Sequence, residues 1–132
     1  MNNPRYLSTC IIPNLHVGSS KDAYVNKDRG DFTCVIDVRG LIEPDENGEV
    51  QAILLDALAV IINKRLKNGD NVLVHCSAGI ERSPLVIAWY LVRYKKEPTI
   101  KDAYKLIQDL RPMVQRRDNW VLWDQRERRN ML

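Results

Sequence analysis

The sequence holds one phenylalanine, two histidines and three cysteines in 132 residues. Cys10, Cys34 and Cys76 are too few, and odd in number, for a disulfide framework, and no two stand in CxxC spacing. With only His16 and His75 as imidazoles, a zinc cluster is not expected. No apolar run approaches the roughly 20 residues that span a bilayer, so membrane insertion is not expected. The first residues, Met1 to Tyr6, lack the apolar stretch of a secretory signal. Internal repeats and low-complexity segments are also missing. Free thiols and no leader point to a reducing compartment, and the expected location is cytoplasmic.

What is present is ordinary globular composition, 45% hydrophobic and 28% charged. The length fits one domain, residues 1–132, able to bury about two-thirds of the surface its unfolded chain exposes. The net charge is +3, with much of the excess late in the chain: Arg93, Lys95, Lys96, Arg111, Arg116, Arg117, Arg126, Arg128 and Arg129. Solvated helix faces account for such a run, and a field attracting anionic substrates is the functional alternative.

Residues 10–18 read as two short strands broken at Pro13-Asn14, with a short helix following from Asp22 to Val25. Thr33–Val38 is a β-branched run expected to form a buried strand. Residues 41–48 are rich in turn formers. A helix is expected over 49–67, burying Val50, Ile53, Leu54, Ala57, Leu58, Ile61 and Ile62 as one stripe, with Gly69 as a left-handed stop. Val72–Val74 is a second buried strand. Residues 83–94 are apolar nearly all round, as in a covered helix, and Pro84 fits its first turn. Thr99 and Asp102 resemble a capping box ahead of a helix burying Ala103, Leu106, Ile107 and Leu110. Asp118 can cap a last helix burying Trp120 and Trp123. Alternating strands and helices give an α/β layer fold.

Chemistry concentrates between Val74 and Pro84. A loop joining a buried strand to a buried helix aims its N–H groups and the positive helix end at one point, which binds an oxyanion. Gly79 lets that loop curl. Arg82, six residues after Cys76, can clamp two phosphoryl oxygens. Cys76 lies where the amides converge, and the same positive field favours its thiolate, so it can attack phosphorus without an attached base. Ser83 can donate to the sulfur as it leaves. His75 is expected to orient the loop. A buried cysteine alone reads as a small hydrophobe, but that reading leaves Gly79, Arg82 and Ser83 at these offsets unexplained.

His75-Cys76-x5-Arg82-Ser83 resembles the signature loop of protein-tyrosine phosphatases, and Ser83-Pro84 the dual-specificity branch. Residues 12–19 resemble that branch's opening strands, and residues 101–112 its helix after the catalytic one. The resemblance implies a central, mostly parallel sheet of about four to five strands with helices on both faces. It also implies a metal-independent phosphoric monoester hydrolase with no cofactor, a phosphate-binding loop of Cys76, Ser77, Ala78, Gly79, Ile80, Glu81 and Arg82, and a phosphocysteine intermediate. The family protonates its leaving group from an Asp on the loop before the helix that precedes the cysteine strand. Asp45, 31 residues before Cys76, fits that place. Glu43 and Glu46 are the alternatives, and a turn or cap role is the competing reading of Asp45. Asp37, in a strand, and Asp56, in mid-helix, rank below them. Family members usually fit a further helix–strand excursion after the strand that 33–38 represents; here the chain enters Glu43-Pro44-Asp45-Glu46 almost directly.

Phosphorylated proteins or peptides are the expected partners, with phosphotyrosine leading and phosphoserine and phosphothreonine beside it. Three other readings remain: an RNA 5′-phosphatase or triphosphatase of the same fold, a phosphopeptide-binding module with a dead loop, and rhodanese-like sulfur transfer. No aromatic-interleaved basic stretch favours nucleic acid. Intact Cys76 and Arg82 argue against the dead module, and sulfur transfer leaves Arg82-Ser83 unexplained. Cys34 is either a packed strand residue or a redox guard for Cys76.

Overall fold

The computed structural model of the chain describes residues 8–27 and 29–121. Trp123, Arg126, Arg128, Arg129 and the first six residues lie outside them.

Strands β1 (Thr9–Ile12) and β2 (Leu15–Ser19) form an antiparallel hairpin. The turn is tight because Asn14 takes the left-handed conformation, φ 67°, which asparagine tolerates better than most residues. Helix α1 (Ser20–Lys27) follows without a gap. Its start is reciprocal: the Ser19 hydroxyl accepts from the Asp22 N–H at 3.1 Å, and the Asp22 carboxylate accepts from the Ser19 N–H at 2.8 Å. The chain continues through β3 (Cys34–Asp37), α2 (Ala52–Lys67), β4 (Val72–Cys76), α3 (Arg82–Arg93) and α4 (Ile100–Leu110). A single 3-10 turn, Asp118–Trp120, stands where a last helix was expected to begin.

The sheet order is β1-β2-β4-β3, with β4 parallel to both neighbours. Side chains alternate faces along β4. Val72, Val74 and Cys76 join the core with α2 and α3. Leu73 faces α1, beneath Gly18 and Asp22. The opening hairpin, the α/β layering and a four-strand, mostly parallel sheet agree with the sequence reading.

Three expectations change. Residues 33–38 do not form a buried strand: β3 is an edge, and Val35 is 51% exposed. The chain turns away after Asp37 through Gly40 and Gly48, and no further strand among the described residues covers it. On α2 the buried residues are Leu55, Leu58, Ala59 and Ile62, while Ile53, Leu54, Ala57 and Ile61 face out. This helix is apolar on two sides, and periodicity cannot choose between them. The choice comes from α3, whose Trp89 indole N–H donates to Asp56 at 2.7 Å and whose Arg93 guanidinium holds the same carboxylate at 2.9 Å. On α4 the inner face is Ile100, Ala103, Tyr104 and Ile107; Leu110 is 46% exposed, and the following Arg111 is buried instead.

Helix α3 matches expectation, with every residue from Ser83 to Val92 buried. Thr99 caps α4 by accepting from the Asp102 N–H at 3.1 Å. No helix among the described residues is long and apolar enough to cross a membrane.

Candidate active site

The loop from Cys76 to Arg82 runs from the end of β4 into the first residue of α3. The carbonyls of residues 77–80 are held on the outside. Ser77 O accepts from the Ser20 N–H at 3.1 Å, Gly79 O from Arg111 Nε at 3.0 Å, Ala78 O from Arg111 Nη2 at 3.4 Å, and Ile80 O from the Gln115 N–H at 2.9 Å. In a planar trans peptide each outward carbonyl turns the next N–H the other way. The N–H groups of residues 78–81 therefore face inward, which makes an anion cradle. Gly79 is required twice over. Its φ is 69°, and a Cβ there would sit 2.7 Å from the Gly18 backbone and 2.8 Å from Arg111.

Cys76 is 3% exposed. Its sulfur lies 3.2 Å from Ser83 Oγ and accepts from the Gly79 N–H at 3.3 Å. Burial pushes the thiol pKa up, but the Ser83 hydroxyl and the N–H groups of Ser83, Gly79 and Arg82 together outweigh it, so the net shift is downward. Ser83 is fully buried, so its hydroxyl has no solvent partner.

The depression above the loop measures about 90 Å³ and is lined by Cys76, Ser77, Ala78, Ile80, Glu81 and Arg82. That is the volume of a few water molecules at about 30 Å³ each, enough for one phosphoryl group. A larger cavity of about 480 Å³ lies between α1 and β3, bounded by Tyr24, Phe32, Asp37 and His75. The His75 ring is thus on the sheet face opposite the sulfur, with Nδ1 3.4 Å from Cys76 O. This placement suits an orienting residue better than a base.

Arg82 is 30% exposed and pairs with Glu43, Nη1 to Oε1 3.2 Å. That carboxylate competes for the guanidinium that a phosphoryl group would take. Asp45 sits two residues on, exposed, with Oδ1 accepting from the N–H groups of Asn47 at 2.8 Å and Glu49 at 3.0 Å. It therefore makes the turn that sequence reasoning weighed against its acid role, though both bonds use one oxygen. Asp37 is held down to about 2 chiefly by hydrogen bonds from Arg39, which keeps it ionised and a poor proton donor. Asp56 is engaged by Trp89 and Arg93. Cys34 pairs with Val72 in the β3–β4 register, four residues before Cys76 along β4, too far for a disulfide.

The late arginines are not uniformly solvated. Arg117 Nε lies 2.7 Å from Glu81 Oε2, so Glu81 does not act as a bare negative charge at the opening. Arg111 is 2% exposed beneath the loop. Besides Gly79 O and Ala78 O it reaches Thr9 Oγ1 at 2.9 Å and Asp22 Oδ2 at 4.0 Å. Asp22 is fully buried; burial raises its pKa against the pull of Ser19 and Arg111. Sequence reasoning missed this pair, because Arg111 reads as one more basic residue and Asp22 as a helix starter. The available signal was Asp22 three residues after Ser19. Removing one member of a buried pair costs about 3–5 kcal/mol. Arg111→Met is expected to lose that much in urea unfolding and to weaken phosphate-ester binding, with Asp22→Asn in the same chain restoring part of the stability. Unfolding within about 1 kcal/mol of wild type would show that Arg111 does not hold the loop.

Residues 14–124 match the family model described as the dual specificity phosphatase catalytic domain. The chain belongs to the dual-specificity phosphatase family. By family it is a hydrolase, a cysteine-based protein phosphatase. It is 26% identical over 118 residues to a putative tyrosine phosphatase, 123R, of Invertebrate iridescent virus 6, covering 80% of this chain and 81% of the relative. It is 29% identical over 133 residues to human dual specificity protein phosphatase 8, covering 86% of this chain but 21% of that protein. The chain thus spans about a fifth of the human relative's length. The crystal structure of human DUSP28 superposes with a TM-score of 0.68 at 20% identity, over 90% of this chain and 89% of that one, a likeness of fold. Among the described residues β3 ends the sheet, in keeping with the short passage from Val38 to Glu49.

Proposed function

We propose that the chain hydrolyses phosphotyrosine, and more slowly phosphoserine and phosphothreonine, in protein or peptide substrates, through a phosphocysteine on Cys76. The observation that carries this reading is the Cys76 sulfur, placed where the Ser83 hydroxyl and the loop amides converge. In the first displacement the thiolate bonds to phosphorus, Arg82 leaves Glu43 for two equatorial oxygens, and the P–O bond to the substrate breaks. Asp45 gives its proton to the leaving oxygen. In the second, water attacks phosphorus, Asp45 takes the water's proton, the S–P bond breaks, and Ser83 donates to the departing thiolate. His75 steadies the loop from behind.

Residues 1–132 are read as one catalytic domain, supported by the family match over 14–124. All three cysteines are free, which suits the cytoplasm.

The substrate order follows from the rim. Between Cys76 and Arg82 there is no lysine. Arg117 is matched by Glu81 and Arg39 by Asp37, so neither offers spare charge to additional phosphates. A shallow depression admits alkyl esters, but an aryl ester leaves more readily and reaches further in. The expected order of kcat/KM is phosphotyrosine peptide, phosphoserine or phosphothreonine peptide, then polyphosphoinositide. A 5′-triphosphorylated RNA belongs in the same assay. A preference of about tenfold or more for lipid or RNA over the phosphotyrosine peptide would overturn the protein-substrate reading.

A further inference from the structure

Helix α2 carries a second apolar stripe that nothing among the described residues covers. Ile53 is 71% exposed, Val60 47%, Ile61 45% and Leu54 38%, and Ala57 between them is exposed too. Lone surface hydrophobes need no explanation, but a contiguous patch rimmed by polar groups marks an interaction surface. Asp56, the charge within this span, is turned aside to Trp89 and Arg93. The stripe is therefore unbroken over two turns.

Its order is palindromic. Ile53 and Ile61 stand four residues either side of Ala57, and Leu54 and Val60 three either side. The charge differs in sign at the two ends. Glu46 and Glu49 lie on the chain entering the helix, whose own first turn holds no acid; Lys64, Arg65 and Lys67 lie in its last turn, with Arg65 also 3.7 Å from Asp70 of its own chain. A surface with this pattern complements a reversed copy of itself. We propose that α2 is the two-fold interface of a homodimer, packed antiparallel on the partner's α2 with Ala57 at the axis.

In that arrangement Ile53 meets the partner's Ile61 and Leu54 meets the partner's Val60. The small Ala57 side chains allow close approach of the axes. Each acidic entrance lies over the partner's basic last turn, and the helix dipoles oppose. A parallel pair would set like charge on like. The contact is isologous, so it closes at two copies. A helix pair of this length buries on the order of 1,000 Å², the low end of specific interfaces, so association in the micromolar range is expected.

Sedimentation equilibrium on the full chain tests this. Wild type is expected to dimerise reversibly, and Ile61→Glu to weaken the dimer about tenfold or more with kcat/KM on an aryl phosphate unchanged, which also shows that the variant folds. Glu49→Lys and Lys64→Glu should each weaken association, and the double variant should recover it. With Cys10 replaced by serine, Ala57→Cys should cross-link across the axis under mild oxidation, whereas Lys67→Cys should not. A wild type monomeric at about 100 μM overturns the proposal, whatever else covers the stripe, residues 122–132 included. So does a dimer that Ile61→Glu leaves intact.

Discussion

Cys76→Ser is expected to abolish turnover of an aryl phosphate while retaining phosphate-ester binding. Serine keeps the size of the side chain, and the cradle that holds the phosphoryl group is built from backbone N–H groups and Arg82, which the substitution leaves in place. What is lost is the nucleophile. A hydroxyl at this point is not ionised by a field that shifts a thiol, because its own proton is held several pK units more tightly. Arg82→Ala, by contrast, is expected to lose binding and turnover together, since the guanidinium serves both ground state and transition state. Equilibrium binding of a phosphotyrosine peptide, alongside kcat, separates the two variants. Wild-type activity should survive EDTA and be blocked by vanadate and by alkylation of Cys76. Strict dependence on added metal would end the cysteine mechanism. The rate of alkylation against pH should show a midpoint below that of an ordinary thiol. Ser83→Ala should move that midpoint up, because removing a donor to the thiolate favours the protonated form.

Asp45→Asn is expected to lower kcat by about 10²–10⁴-fold for phosphate esters with poor leaving groups. The loss should be much smaller for a highly activated aryl phosphate, whose oxygen leaves without a proton. The basic limb of the pH–rate profile should flatten as well. Asparagine can keep the two N–H bonds that Oδ1 accepts from Asn47 and Glu49, so the turn survives and the comparison isolates the proton. Glu43→Gln should act differently. It frees Arg82 from a competing carboxylate, so its effect belongs in KM and not in leaving-group sensitivity. If Glu43→Gln or Glu46→Gln carries the leaving-group-dependent loss and Asp45→Asn behaves as wild type, the acid lies at that glutamate.

The arrangement of the candidate loop was legible in the sequence because it is local. Cys76, Gly79, Arg82 and Ser83 lie within eight consecutive residues, and a strand–loop–helix path leaves that segment few ways to run. The same locality made the Pro13-Asn14 turn, the Gly69 stop, the Thr99 cap and the wholly buried α3 readable, since each is set by neighbours within a turn or two. Placing Asp45 relative to Arg82 was less accessible. It depends on how a loop folds over another element, and the carboxylate nearest the guanidinium is that of Glu43.

By itself, then, the sequence determined the strand–loop–helix path of residues 72–93, the order of strands and helices, and the α/β class, because backbone conformation and hydrophobic periodicity are short-range properties. The tertiary structure decided what depends on which surfaces meet. It made β3 an edge, because no later strand among the described residues returns to pair with it. It selected Leu55, Leu58, Ala59 and Ile62 as the buried side of α2, because burial is settled by the partner surface and α2 offered two apolar sides. It also drew Arg111 and Asp22, 89 positions apart, together under the loop, where a guanidinium shielded from water binds the outward carbonyls of Ala78 and Gly79.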